Sequence, residues 1–457
     1  MNETLKLHIK PLNQLAVPLI ANSIFGLSIE LIDQAMVGHL SVSAYASVGA
    51  AGNFLYTMAG IFGAIAIVLN ILGSKAIGEH REDKYLSILS SSLLINLLIG
   101  IIFGVPAFLC GRTFLKAVYG FSGTALYEGT TYLSLMSGYM LLQLCIFTLT
   151  NCLKIKKCTQ WIMIISTTTA VLHSGLNYLL IYGLFGFPRL EIAGTAISST
   201  ITLCIDCLAY CWILRKDLQS ALHIRPKKVR LIIYQSLPLM GQELLQGSLF
   251  VIALNAFLAH LGMLVLSSYL LIGQLLQIGL IPAFMYSSAL LTLVSESSGA
   301  HRISDLNAYP KTAAVLTMTL FSLTGIVFYL FRAPIAGVIT NDPHLISFSS
   351  GIFLILWLAN LFNPLFEVYK AAMQSVEKST FVLIATLVVH LGALATMLWL
   401  TFPLRLGIYG IAAGLFMNYF VMYFCLKIAY SRDVQQLKQN TVQEQIASLG
   451  REIRIKK

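Results

Sequence analysis

Ionisable side chains inside the apolar stretches of this chain include Glu30, Asp33, His173, Asp206, Glu243 and Glu367. Holding such a group in hydrocarbon costs about 2.5–3.5 kcal/mol on insertion scales, so each one asks for a reason. Asp33 stands five residues before Gly38, and Asn177 six before Gly183. If both runs are helices ending at one membrane face, these two residues share a depth and His173 lies one turn, ~6 Å, deeper. Glu30 precedes Asp33 by three residues, on a neighbouring face. A carboxylate, an amide and an imidazole at one level can bind and release a cation. Taking the carboxylate out of water favours its neutral form, which suits a proton carrier. The alternative is a structural acceptor that ties one helix to its neighbours. Glu367 stands three residues from Lys370 and reads as a local, snorkelling pair. Asp206 reads as structural, paired with a loop cation, and Glu243, soon after Pro238, as a candidate to face a cleft.

The elements that must position these groups follow from composition. Of the 457 residues, 57% are hydrophobic and 11% charged. A soluble domain carries roughly 25% charged residues. So little charge cannot cover a water-facing surface, and lipid must be the main solvent. Apolar runs fall at roughly 12–38, 45–73, 86–110, 127–150, 160–183, 192–214, 231–260, 264–294, 311–331, 345–369, 380–402 and 407–430. Each is long enough to span as a helix, and none alternates with period two as a barrel strand would. The expected fold is therefore an all-α membrane protein of twelve transmembrane helices.

With the N-terminus placed inside, 25 of the 30 Lys and Arg fall in inner loops and termini, and 5 in outer loops. This bias predicts both termini in the cytoplasm, in a plasma (bacterial inner) membrane. The net charge of +11 is explained by the same loops rather than by nucleic acid. The eight cysteines read as packing residues, even Cys204, Cys207 and Cys211 on one helix face, so neither a metal nor an enzyme cofactor is expected. The first run is too long for a signal peptide and lacks a cleavage site, so it is expected to be retained. Prolines 18, 106, 282 and 364 should bend their helices. His80 and His301 are expected to be solvated residues that close helix ends.

The halves repeat. Pro18 answers Pro238, 220 residues on; Gly78-Glu79-His80-Arg81 answers Gly299-Ala300-His301-Arg302, 221 on; Leu153–Cys158 answers Met373–Lys378, 220 on. Arg189 pairs with Arg405, 216 on. Six helices separate matching points, so the repeat is parallel, with a pseudo-two-fold axis along the membrane normal. The expected organisation is a lobe over 1–218, a cytoplasmic linker over 219–230, a second lobe over 231–430 and a cytoplasmic tail over 431–457. Two such lobes would enclose a cleft and alternate its access.

The string Leu31–Leu40, "LIDQAMVGHL", resembles the first-helix signature of multidrug and toxic compound extrusion (MATE) transporters. Leu176–Ser198 resembles that family's fifth helix, outer loop and start of the sixth. "LKIKKCT" and "MQSVEKS" fall where the family has Gly-Asp-containing turns, with Lys157-Cys158 and Glu377-Lys378 in place of Gly-Asp. The resemblance implies cation-coupled export of organic, amphipathic or cationic compounds by a monomer among lipids, with Asp33 as the coupling acid. It adds His173 and Asn177 as the fifth-helix partners and Ser199 as a sixth-helix hydroxyl. His173 replaces an amide that sodium would use, which favours protons. The family's second-lobe acids align with Gln246 and Asn363, and Glu243 and Glu367 stand one turn away. The rival within transport is a flippase for a lipid-linked or natural-product precursor, but no intramembrane cation marks a pyrophosphate site. An intramembrane enzyme would need clustered aspartates or His-Glu-X-X-His, and neither occurs.

Overall fold

A chain that lies in lipid with apolar runs of twenty residues or more must close its backbone hydrogen bonds within each run. The computed structural model, which describes residues 3–455, does so with helices, and no strand occurs among the described residues. Among the described residues eleven helices are long and apolar enough to cross a membrane, or twelve with one bent pair counted as a span. They are α1 (Leu7–Gly38), α2 (Ser43–Gly78), α3 (Glu82–Tyr119), α4 (the pair Gly123–Leu135 and Tyr139–Ile155, bent by 45°), α5 (Thr159–Tyr182) and α6 (Ile192–Ile213). The second half holds α7 (Val229–His260), α8 (Met263–Gly299), α9 (Ile303–Leu330), α10 (Pro343–Ser375), α11 (Ser379–Thr401) and α12 (Ile408–Gln439). Each expected run lies on one of these spans to within about a residue at its ends. Large apolar side chains such as Ile102, Leu208 and Trp212 point outward, more than 60% exposed, as lipid contact requires.

Several spans are interrupted, and the cause differs from one to the next. Pro18, Pro106 and Pro282 lie inside continuous helix. Pro364 instead opens a new segment, Asn363–Ser375, after a break that follows Ala359. Proline fits the first turn, where its missing N–H has no partner to lose. α7 contains a π-helical stretch, Leu244–Leu249, which nothing in the residue pattern announced. The polar tail continues the last helix: Ile408–Ile455 is one element.

The chain packs as two compact units, Val17–Gly73 with Arg81–Met240, and Met1–Ala16 with Ser74–His80 and Gly241–Lys457. The divisions between the units fall inside α1, α2 and α7. In the first unit an apolar core runs from Ala44 through Leu55, Leu115, Leu133 and Leu144 to Ala196. A helix, Arg215–Leu222, runs into the segment expected as a linker, 219–230. It is tied down by Lys156 Nζ on Asp217 at 2.6 Å, Tyr85 Oη on Asp217 at 3.2 Å and Lys228 N on Ser91 Oγ at 3.0 Å.

The second unit has its own core, with Phe321, Trp357 and Phe353 stacked at 4.5 and 5.4 Å. A Cβ on Gly279 or Gly325 would collide with Trp357. The C-terminal tip of α2 packs against the end of α8 in this unit. A Cβ on Gly78 would strike the Glu296 and Ala300 backbone, and one on Gly299 the Lys75 backbone. The two glycines are the repeat-related pair, so each lets the other's helix approach. Lys75 also donates to Glu377 at 2.5 Å.

Candidate functional site

Asp33 lies in the last third of α1, and its carboxylate is met by a row of side chains from α5. His173 Nδ1 stands 2.9 Å from Asp33 Oδ2. Ser174 Oγ and Asn177 Nδ2 each donate to Asp33 Oδ1 at 3.1 Å. Residues 173, 174 and 177 share a helix face through their i+3 and i+4 spacing, which is why one carboxylate can collect all three. α6 supplies the backing. The Ser198 hydroxyl hydrogen-bonds the Asn177 amide oxygen, and Ser199 Oγ stands 3.0 Å from His173 Nε2. Tyr182 Oη donates to Met36 O at 3.1 Å and ties α5 to α1 one turn further on.

The imidazole is thus engaged at both nitrogens, by a carboxylate on one side and a hydroxyl on the other. Asn177 is buried, with 0% exposure, whereas Asp33 and His173 side chains keep about a fifth of theirs. The exposed part of that surface opens on a cavity of about 900 Å³ within the first unit. Glu30, Asp33, His173, Asn177 and Ser199 line it, with Tyr56, Tyr132, Tyr139 and Phe147. Tyr56 and Tyr139 meet edge to face at 5.7 Å. A volume of this size is that of a small-molecule site, and aromatic faces beside acids suit an organic cation.

The structure thus brings Asp33, His173, Asn177 and Ser199 into one hydrogen-bonded group. Glu30 shares the cavity but is outside the group, and it accepts from Gln34 at 3.2 Å. Ser174 and Ser198 belong to the group and were not singled out by the sequence reading; the i+3 relation of Ser174 to Asn177 is the signal that would have found the first. Asp206 has no loop cation beside it among the described residues; its partner is Thr169 Oγ1, donating at 2.7 Å.

In the second unit the residues fall out differently. Glu367, 3% exposed, is paired with Lys370 Nζ at 2.5 Å. Gln246, in the π-helical stretch, donates to Glu367 at 3.0 Å and lies 3.4 Å from Lys370 Nζ through its oxygen. Asn363 is buried and donates to Asn360 at 3.2 Å. Glu243 is exposed, one turn before Gln246. Gln246 and Glu367 therefore meet, whereas Asn363 bonds elsewhere.

The MatE family model matches this chain twice, over residues 18–179 and 238–398. The two matches begin at Pro18 and Pro238, which is the spacing of the internal repeat. Among curated proteins, an uncharacterized transporter, YisQ of Bacillus subtilis, is 22% identical over 70% of this chain and 71% of its own length. A probable multidrug resistance protein NorM of Listeria monocytogenes is 23% identical over 94% of this chain and 96% of its own. The crystal structure of the Vibrio cholerae MATE transporter VcmN in its bent form superposes with a TM-score of 0.82 at 18% identity, covering 96% of this chain and 99% of that one. At such identity the superposition speaks for a shared fold.

Proposed function

The chain belongs to the MatE family of multi-pass membrane transporters, and from that premise we propose that it is an antiporter that exports organic compounds in exchange for protons. One observation carries the reading: Asp33 stands in the wall of a cavity of about 900 Å³ with a titratable imidazole 2.9 Å from it. A proton and an organic cation both seek that carboxylate. Arrival of one weakens the hold on the other, and this competition is what exchange requires. Naming of relatives as multidrug resistance proteins agrees with an aromatic, acidic cavity.

The choice of proton over sodium rests on what faces Asp33. A hard cation takes several oxygen ligands. Here an imidazole nitrogen, an amide nitrogen and one hydroxyl point at the carboxylate, and the amide oxygen is turned to Ser198. Donors already crowd the place that oxygen ligands would need. In the second unit, Lys370 occupies Glu367 as a built-in counter-ion, so we assign the coupling to Asp33 alone. The Lys and Arg bias of 25 against 5 supports a cytoplasmic-membrane location with both termini inside.

Transport by the purified protein in liposomes, with imposed proton or sodium gradients and a panel of cationic and neutral dyes, tests the reading. A proton gradient should drive efflux of the cationic dyes, and a sodium gradient should not. Asp33→Asn should reconstitute normally and fall to the level of empty liposomes. Full activity of that variant would refute the assignment.

A further inference from the structure

His173 does not end the polar chain. Beyond it, still within the first unit, lies a second chamber of about 250 Å³ whose wall holds Asp206. The two cavities share His173 and Ser199, so the imidazole and the hydroxyl stand where one gives way to the other. Asp206 is a carboxylate within a membrane span, hydrogen-bonded by Thr169 at 2.7 Å and with no cationic partner among the described residues. A charged carboxylate so placed carries a desolvation cost with nothing opposite to offset it. A structural acceptor for one threonine would be served as well by an amide, which carries no such cost.

The titratable groups that face Asp206 are His173 from α5, Tyr56 from α2, Tyr139 from α4 and Tyr210 on its own helix. Among them only the imidazole carries two ring nitrogens, so that it can take a proton on one side and give one up on the other. Thr169 lies one turn before His173 on α5, and Asp206 seven residues, about 10 Å, beyond Ser199 on α6. Both displacements lead away from the α5–α6 connection, and in the orientation proposed above that direction is cytoplasmic.

We propose that Asp206 is a second proton-binding station, which takes up the proton released by Asp33 and passes it toward the cytoplasm. This rests on the reading of Asp33 as the coupling acid. The Asp33 carboxyl gives its proton to His173 Nδ1, and the ring gives its Nε2 proton to Ser199. The hydroxyl passes its own proton on through the chamber, which has room for several waters at ~30 Å³ each, to the Asp206 carboxylate. No bond other than N–H and O–H changes, and rotation of the imidazole resets its tautomer.

Infrared difference spectra of the full chain in liposomes, recorded from acid to mildly alkaline pH, test this through the carboxyl C=O bands. The expected result is one titrating band lost in Asp33→Asn and a different one lost in Asp206→Asn. Thr169→Val should displace the frequency of the second band alone, and it serves if Asp206→Asn fails to reconstitute. An Asp206→Asn spectrum identical to that of the unaltered protein, or no displacement in Thr169→Val, overturns the proposal. Failure of Asp33→Asn to remove any band overturns instead the reading on which it rests.

Discussion

Asn177 is held from both ends, by Asp33 at its nitrogen and by Ser198 at its oxygen. Asn177→Ala removes a donor from the carboxylate, while the Ser198 hydroxyl keeps the Thr195 carbonyl at 2.9 Å. Losing a hydrogen bond to a charged group costs about 1.5–3 kcal/mol, so the melting midpoint in detergent should drop along with the rate of proton-driven efflux. His173→Ala should alter the pH profile of that efflux while leaving the protein folded, and an unchanged profile would dismiss the imidazole from the coupling. Lys370 offers the opposite case. Lys370→Met leaves Glu367 buried without its counter-ion, which costs about 3–5 kcal/mol. The double variant Glu367→Gln with Lys370→Met should recover most of that stability, and failure to recover would show that the pair does more than neutralise itself.

Much of this neighbourhood could be read from residue order. Asp33 and Asn177 were placed at one depth because helical rise is fixed and both precede a helix end by similar counts. Ser174 and Ser198 escaped because a serine in a helix ordinarily bonds its own backbone and gives no sign of a distant partner. The pairing of Lys75 with Glu377, 302 residues apart, was beyond reach for a different reason. It depends on which helix ends pack together, and local pattern does not encode that.

Elements show where backbone geometry overrules side-chain preference. His80 and His301 have φ of 58° and 55°, and Lys157 and Glu377 φ of 59° and 63°. These are left-handed positions held by residues with a Cβ, and they recur at the repeat spacing. The resemblance had placed glycine-containing turns at the second pair, and the conformation explains why glycine suits them. The left-handed region costs an L-residue roughly 1–2 kcal/mol, and glycine returns part of that gain as chain entropy. His301→Gly should therefore raise the melting midpoint slightly, by the equivalent of about 0.5–1 kcal/mol. The crossing of α2 and α8 makes the reverse demand. Gly78→Ala or Gly299→Ala would push a methyl group into the opposite backbone, and overpacking of this kind costs about 1–3 kcal/mol. Each should lower stability in a melting assay, where a conservative change on the lipid-facing Leu208 should not. The π-helical stretch that carries Gln246 had no counterpart in the sequence, since a single extra residue in a turn leaves the apolar pattern nearly intact.

For the molecule as a whole, composition settled the solvent, and the solvent settled the fold class. Apolar runs this long admit only helices, and even spacing of the repeats gave two like halves. What composition could not show is that the halves have diverged in chemistry. The first carries an acid beside a titratable ring and an open cavity; the second carries an acid already matched by its own lysine. Divergence of this kind is written in single residues, and a repeat pattern built from prolines and glycines passes over it.

In the proposed exchange Glu367 stays matched by Lys370, so the electrical balance of a cycle is left to Asp33, with Asp206 handing on the same proton. One proton in for one monovalent organic cation out moves no net charge. Membrane voltage, worth about 2.3 kcal/mol per 100 mV for each charge carried across, would then do no work on such an exchange. Clamping liposomes at different potentials with valinomycin and potassium should leave the rate for a monovalent dye unchanged, whereas a divalent dye should respond. In a cell whose voltage collapsed while its pH difference persisted, this transporter would keep running.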